Sequence, residues 1–173
     1  DIRLSTAVVE TDSTVRDPGV VLDSHLTMIK HVSSVCQSGY YQLRQLRYIV
    51  NSLTIDTAKT LIQSFIGGRI DYCNSLLFGI SNEQLQRIQS VQNSAARLVT
   101  GTRRFDHITP VLVALHWLPV RYRVSYKLAT VVYKCLHGQA PPYLAADCVS
   151  VTGRQTVLRT FKTHFFSEWL RHI

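Results

Sequence analysis

The segments RIDYCNSLL (69–77), VQNSAARLVTG (91–101), HITP (107–110), LHWLPV (115–120) and YKCLHG (133–138) follow one another through the second half of a 173-residue chain. They read as packed helices punctuated by turns. Ser81 with Gln84 three residues on has the capping-box pattern, so a helix starts there and runs to Val99. Leu85, Ile88, Val91, Ala95 and Leu98 form its core face, and Gly101 suits the position just past its end. Arg87, Ser90, Ser94 and Arg97 share another face, and Thr102-Arg103-Arg104 follows as a basic turn. Thr109-Pro110 is a cap followed by proline at the first helical position, which predicts a short helix to about Leu115. Trp117, flanked by Leu115 and Leu118, is expected in the core, and Leu118-Pro119 breaks the run.

The next helix is expected over Val120–His137, ended by Gly138, with Val124, Leu128, Val131, Cys135 and Leu136 inward. Arg123, Lys127, Thr130 and Lys134 fall on one stripe at steps of 4, 3 and 4, and Tyr122, Tyr126, Ala129 and Tyr133 on the adjoining one. Cations beside aromatic rings are what a nucleic-acid strand requires: charge for phosphates, ring faces for bases.

Upstream, residues 4–23 read as one β-hairpin. Ala7-Val8-Val9 is expected to pair with Val20-Val21-Leu22, with Asp12-Ser13 as the turn. Ser24–Val50 reads as a long helix with Leu26, Ile29, Val32, Val35, Cys36, Leu43, Leu46 and Ile49 inward. Gly39 is expected to loosen its middle, and Lys30, Arg44 and Arg47 are assigned to a solvated face. Thr54 is a good N-cap for a second helix with Asp56 in its first turn and Ala58, Leu61, Ile62 and Phe65 buried. Gly67-Gly68 weakens that helix, and Ile70–Phe78 resumes after the break. Asp71 is the one carboxylate in RIDYCNSLL, and a hydrogen bond or an ion pair with Arg69 or another base is expected of it. The fold class is therefore mainly α: a helical bundle with a short N-terminal β-hairpin.

Charge narrows the partners. The chain has 19 Lys and Arg against 11 Asp and Glu, a net +8; residues 1–23 hold five of the acids and two of the bases, leaving 17 bases against 6 acids beyond them. A basic body fits a polyanion, nucleic acid before a membrane surface. The longest run without a charged residue, His107–Val120, is too short and too broken by proline to span a bilayer. Cys36, Cys73, Cys135 and Cys148 have neither C-x-x-C nor zinc-finger spacing and read as reduced thiols of an intracellular protein. The histidines show no ligand spacing, and no Asp-Asp pair, H-E-x-x-H or glycine-rich phosphate loop occurs. Catalysis by this chain alone is not expected.

The ordered series of segments resembles the region downstream of the catalytic palm in reverse transcriptases of non-LTR (LINE-type, jockey-like) retrotransposons. VRDPGVVLD (15–23) is similar to the segment that closes the palm there, although the family usually has Leu in place of Pro18. The resemblance implies a division into 1–23, the end of the palm; 24–147, a helical thumb-like domain; and 148–173, a basic and aromatic tail. It implies a fragment of an RNA-directed DNA polymerase that grips RNA and DNA as primer–template. The catalytic carboxylates and their Mg²⁺ would lie in a palm upstream, with no cofactor in this fragment. The partners implied are the palm and fingers of the parent polymerase, not a membrane, and the setting an intracellular, nuclear or cytoplasmic ribonucleoprotein. The nucleic-acid contacts expected are Arg97, Arg103, Arg104, Arg121, Arg123, Lys127, Lys134, Tyr122 and Tyr126. Two other readings stand beside this one: a non-catalytic helical protein-interaction module derived from a decayed element, and a basic domain on anionic membranes.

Overall fold

The computed structural model describes residues 2–4, 7–9, 14–146 and 148. Four short strands come first: β1 (Ile2–Leu4), β2 (Ala7–Val9), β3 (Thr14–Asp17) and β4 (Val20–Asp23). Helices follow: α1 (Ile29–Val50), α2 (Ile55–Ile62), α3 (Gly68–Asp71), α4 (Asn82–Thr100), α5 (Thr109–Ala114), α6 (Val120–Leu136) and α7 (Pro142–Ala146). The fold is mainly helical with short antiparallel strands at its start. The tail expected at 148–173 lies outside the described residues, Cys148 excepted.

The single hairpin of the sequence reading is two hairpins. Ala7–Val9 pairs with Ile2–Leu4, while Val20–Asp23 pairs with Thr14–Asp17. Asp17 faces Val20 across a two-residue turn, Pro18-Gly19, with Gly19 at φ 79°. Proline's fixed φ suits the first central position and glycine tolerates the positive φ of the second, so Pro18 sits in the turn and removes no ladder donor. A neighbouring hairpin closes less chain than a pairing across Asp12-Ser13 would. The Tyr72 hydroxyl donates to Pro18 O at 2.8 Å, fastening this turn to the helical body.

Between β4 and α1 the chain departs from the expected helix start at Ser24. Leu26 and Met28 both have positive φ, which non-glycine residues adopt only under constraint. Asp23 supplies the constraint. One carboxylate oxygen accepts from the amides of His25 and Thr27, and the other from the Thr27 hydroxyl and the Met28 amide. These bonds, led by the Thr27 amide, favour the ionised form and hold the Asp23 carboxyl below its ordinary range. Leu26 and Ile29, expected inward, are exposed because Leu26 precedes the helix and Ile29 is its first residue, and Ile49 is exposed at its far end.

The core is one continuous cluster. α1 lies along α4, and Val32, Cys36, Leu43 and Leu46 of the first meet Ile88, Val91, Ala95 and Ala96 of the second. Each Val, Leu or Ile side chain so buried contributes about 1.5–3 kcal/mol. Gly39 does not loosen α1. A Cβ there would stand 2.7 Å from Val91 Cγ1, so its bareness lets the two helices close. Val20 joins the same cluster, so the β3–β4 ribbon packs on the helices.

His31 links ribbon to bundle. It is buried, and its Nδ1 accepts from Val21 N at 3.4 Å. That bond requires an unprotonated Nδ1, and desolvation pushes the imidazole pKa below its ordinary value. A histidine with a lowered folded pKa is neutral in both states above about pH 6.5, where stability is full. Below that, the unfolded chain takes the proton first, and stability falls until pH reaches the folded value. Denaturant midpoints between pH 7.5 and 5.5 are expected to fall in the parent and to fall less in His31→Gln, whose amide oxygen can accept from Val21. Equal slopes would remove His31 from the account.

Thr54 caps α2 as expected, its hydroxyl accepting from Thr57 N. Gly67-Gly68 does not break the helix. α2 runs through a π-turn, Gln63–Gly67, directly into α3, widening by one residue where Gly67, bare of a Cβ, leaves room for the Gln63 side chain. Phe65 is consequently exposed rather than inward. α5 is capped by Ile108, one residue earlier than expected and without a side-chain bond, with Pro110 in the first turn. Ser81 caps α4 through Gln84 N, but Gln84 Oε1 accepts from Arg87 rather than completing the box.

Candidate nucleic-acid interface

Two of the quoted segments and the first half of α6 meet at one cleft of about 360 Å³. RIDYCNSLL supplies Asp71 and Asn74, LHWLPV supplies His116, Trp117 and Leu118, and α6 supplies Arg123, Tyr126 and Lys127. Gln63, the first residue of the π-turn, completes the rim.

Local chemistry explains each placement. α3 ends at Asp71, Tyr72 is extended, and Cys73 turns left-handed at φ 50° before a 3₁₀ turn at Asn74–Leu77. This reversal sets Asp71 and Asn74 side by side. α5 ends in a Schellman arrangement. Trp117 N donates to Leu112 O at 2.8 Å and His116 N to Val113 O at 2.9 Å, with His116 in the left-handed position that glycine usually takes. Leu112 and Trp117 are both buried, the apolar contact that accompanies this motif, and Trp117 is core as expected. α6 then starts from a cap outside itself: Gln89 Oε1 of α4 accepts from Val120 N at 2.8 Å.

Asp71 pairs with Arg123, not Arg69. Arg123 Nε donates to Asp71 Oδ1 at 2.8 Å, Nη2 donates to Oδ2, and Asn74 Nδ2 adds a bond at 3.3 Å. Arg69 instead donates to Ser38 Oγ on α1. Because the Asn74 amide nitrogen faces the carboxylate, its oxygen is the buried side-chain atom left without a donor among the described residues.

The expected contact residues separate into two groups. Three are committed to structure: Arg123 to Asp71; Arg121 to Asn82 Oδ1 at the start of α4; and Arg97 to the carbonyls of Arg103 and Asp106, both at 3.3 Å, closing the loop 101–108. The charged groups of Arg103, Arg104, Lys127 and Lys134 are exposed, with no side-chain partner among the described residues. Tyr126 is exposed, Tyr122 half-buried, and Tyr133 stacks on His137 at 3.9 Å. Phe105, which the sequence reading passed over, is 95% exposed beside Arg103 and Arg104. α6 carries four cations and no acid.

One further residue was missed. Gln92 is buried, donates to Leu118 O at 2.9 Å and accepts from Gln89, so α4 fixes the turn into α6. Its position, four after Ile88 and three before Ala95, was the available signal. The cysteines are free thiols, and burial raises Cys36 above its ordinary value. No helix among the described residues is long and apolar enough to cross a membrane. No protein-family model, curated protein or solved structure matches the chain.

Proposed function

We propose that this chain is a nucleic-acid-gripping region of an RNA-directed DNA polymerase of the non-LTR retrotransposon type, holding primer–template while carboxylates elsewhere in the parent enzyme transfer phosphoryl groups. The observation that carries the binding is the set of exposed cations on α6 and in the loop 101–108 between α4 and α5. Lys127, Lys134, Arg103 and Arg104 stand unpaired among the described residues, beside the exposed rings of Tyr126 and Phe105. The assignment to a polymerase rests on the ordered segments alone.

Binding of this kind is largely independent of sequence and strongly dependent on salt. Four to six phosphate contacts give a log–log slope of roughly −3 to −5. Lys127→Gln/Lys134→Gln is expected to flatten the slope by about 1.4–1.8 units, and Arg123→Met by much less, since its guanidinium serves Asp71. Fluorescence anisotropy with labelled RNA–DNA hybrid between 50 and 200 mM salt (a window of roughly the usual size) reads both. No salt-dependent binding by the parent would sink the proposal.

A second reading has an observation of its own. Val132, Leu136, Tyr143 and Leu144 expose apolar surface at the end of α6 and on α7, which suits a helical protein-interaction module. Such a module would hold its partner with little dependence on salt.

A further inference from the structure

We propose that the outer face of α1 is a second binding track, for single-stranded nucleic acid, separate from the α6 surface. The sequence reading left its cations to solvent. The structure adds three tyrosines among them. Tyr40 is 41% exposed, Tyr41 57% and Tyr48 83%, and Lys30, Arg44 and Arg47 are exposed on the same helix. None of these six side chains has a hydrogen-bond, ionic or ring partner among the described residues. α1 contains no acid.

Helix geometry aligns them. Lys30, Gln37, Tyr41, Arg44 and Tyr48 recur at steps of 7, 4, 3 and 4, which is one stripe. Tyr40 and Arg47 flank it on one side. At about 1.5 Å per residue, Tyr41 and Tyr48 stand roughly 10.5 Å apart along the axis with Arg44 between them. Rings spaced along a line of cations are the arrangement by which proteins hold single strands. Cations follow the backbone, and unstacked bases lie on the rings whatever their sequence. A duplex keeps its bases stacked on each other and offers only phosphates to the same face.

Other occupants fit less well. A membrane surface calls for long apolar side chains opposite the charges. Here the exposed aliphatics, Ile29 and Ile49, lie at the two ends of α1. A protein partner would need acids to match three unpaired cations, where a nucleic acid supplies charge and ring faces together.

The test compares labelled oligothymidylate of roughly 16 nucleotides with a duplex of the same length, read by anisotropy across salt. Tyr41→Ala/Tyr48→Ala is expected to weaken single-strand binding at least about 30-fold, from at least about 5-fold per stacked base, and to leave duplex binding within about 2-fold. Tyr41→Phe/Tyr48→Phe keeps the rings and is expected to keep the affinity. Lys30→Gln/Arg44→Gln/Arg47→Gln is expected to flatten the single-strand slope by about 2 units. All six positions are exposed, so the variants are expected to melt with the parent; if the alanine pair melts early, the phenylalanine pair and the glutamine triple decide. Single-strand binding unchanged in both the alanine pair and the glutamine triple overturns the proposal. So does equal loss on duplex and single strand, or loss instead of binding to anionic vesicles. The Lys127→Gln/Lys134→Gln variant separates the two surfaces. If it binds as the parent does while the α1 variants fail, the α6 proposal falls and this one stands.

Discussion

Asp71→Ala is expected to destabilise the protein by about 2–3 kcal/mol, and more than removal of its partner. The two ends of the pair are unequally wet: the Arg123 side chain is 14% exposed, the Asp71 side chain 41%. Taking away the carboxylate leaves a mostly buried guanidinium with no anion, the situation that makes half-broken ion pairs costly. Taking away the guanidinium, as Arg123→Met, leaves a carboxylate that water can reach and Asn74 still serves. That variant is expected to lose about 1 kcal/mol, and the double variant less than the sum of the two, since neighbours in one pair are not additive. Urea midpoints of the four proteins settle it. Arg123→Met falling below Asp71→Ala would reverse the burial argument.

Gln92→Leu is expected to cost about 2 kcal/mol, which for a chain of this length lowers the melting temperature by roughly 4–8 °C. The leucine fits the apolar surroundings, but the Leu118 carbonyl loses its donor and Gln89 one of its acceptors. Gln89 keeps Asn93 Oδ1 at 2.8 Å, so the damage concentrates at the turn before α6. Gln92→Glu is expected to be worse, because a carboxylate cannot donate to that carbonyl and its charge would be buried. Calorimetry ranks the three proteins. A glutamate variant as stable as the parent would show that the Leu118 bond contributes nothing.

Both predictions concern groups whose meaning came from contact. Arg123 stood on a clean helical stripe with Lys127 and Lys134, and the stripe is real. What removed it from the free surface was Asp71, 52 residues earlier, brought beside it by the reversal after α3. Gln92 read as a polar residue in a helix, and only the turn at Leu118 gives its amide something to hold. Similarly, Gly39 carries a local penalty that periodicity counts against the helix, while Val91 on α4 turns its missing side chain into closeness.

By itself the sequence determined the elements that depend on near neighbours. The helices at α1, α2, α4, α5 and α6, the caps at Thr54 and Ser81, the stops at Gly101 and Gly138 and the burial of Trp117 all follow from periodicity and from bonds within a few residues. Tertiary structure alone decided three things. It set which strands pair, because β-rich runs carry no label of their partner and the shorter loop prevailed. It carried the helix through Gly67-Gly68, because packing of Ile66 and Ile70 outweighs the roughly 1 kcal/mol that each glycine forfeits. And it sorted the cations into those that hold the fold and those left to a partner, because charge is local while its neutralisation depends on what the rest of the chain brings within reach.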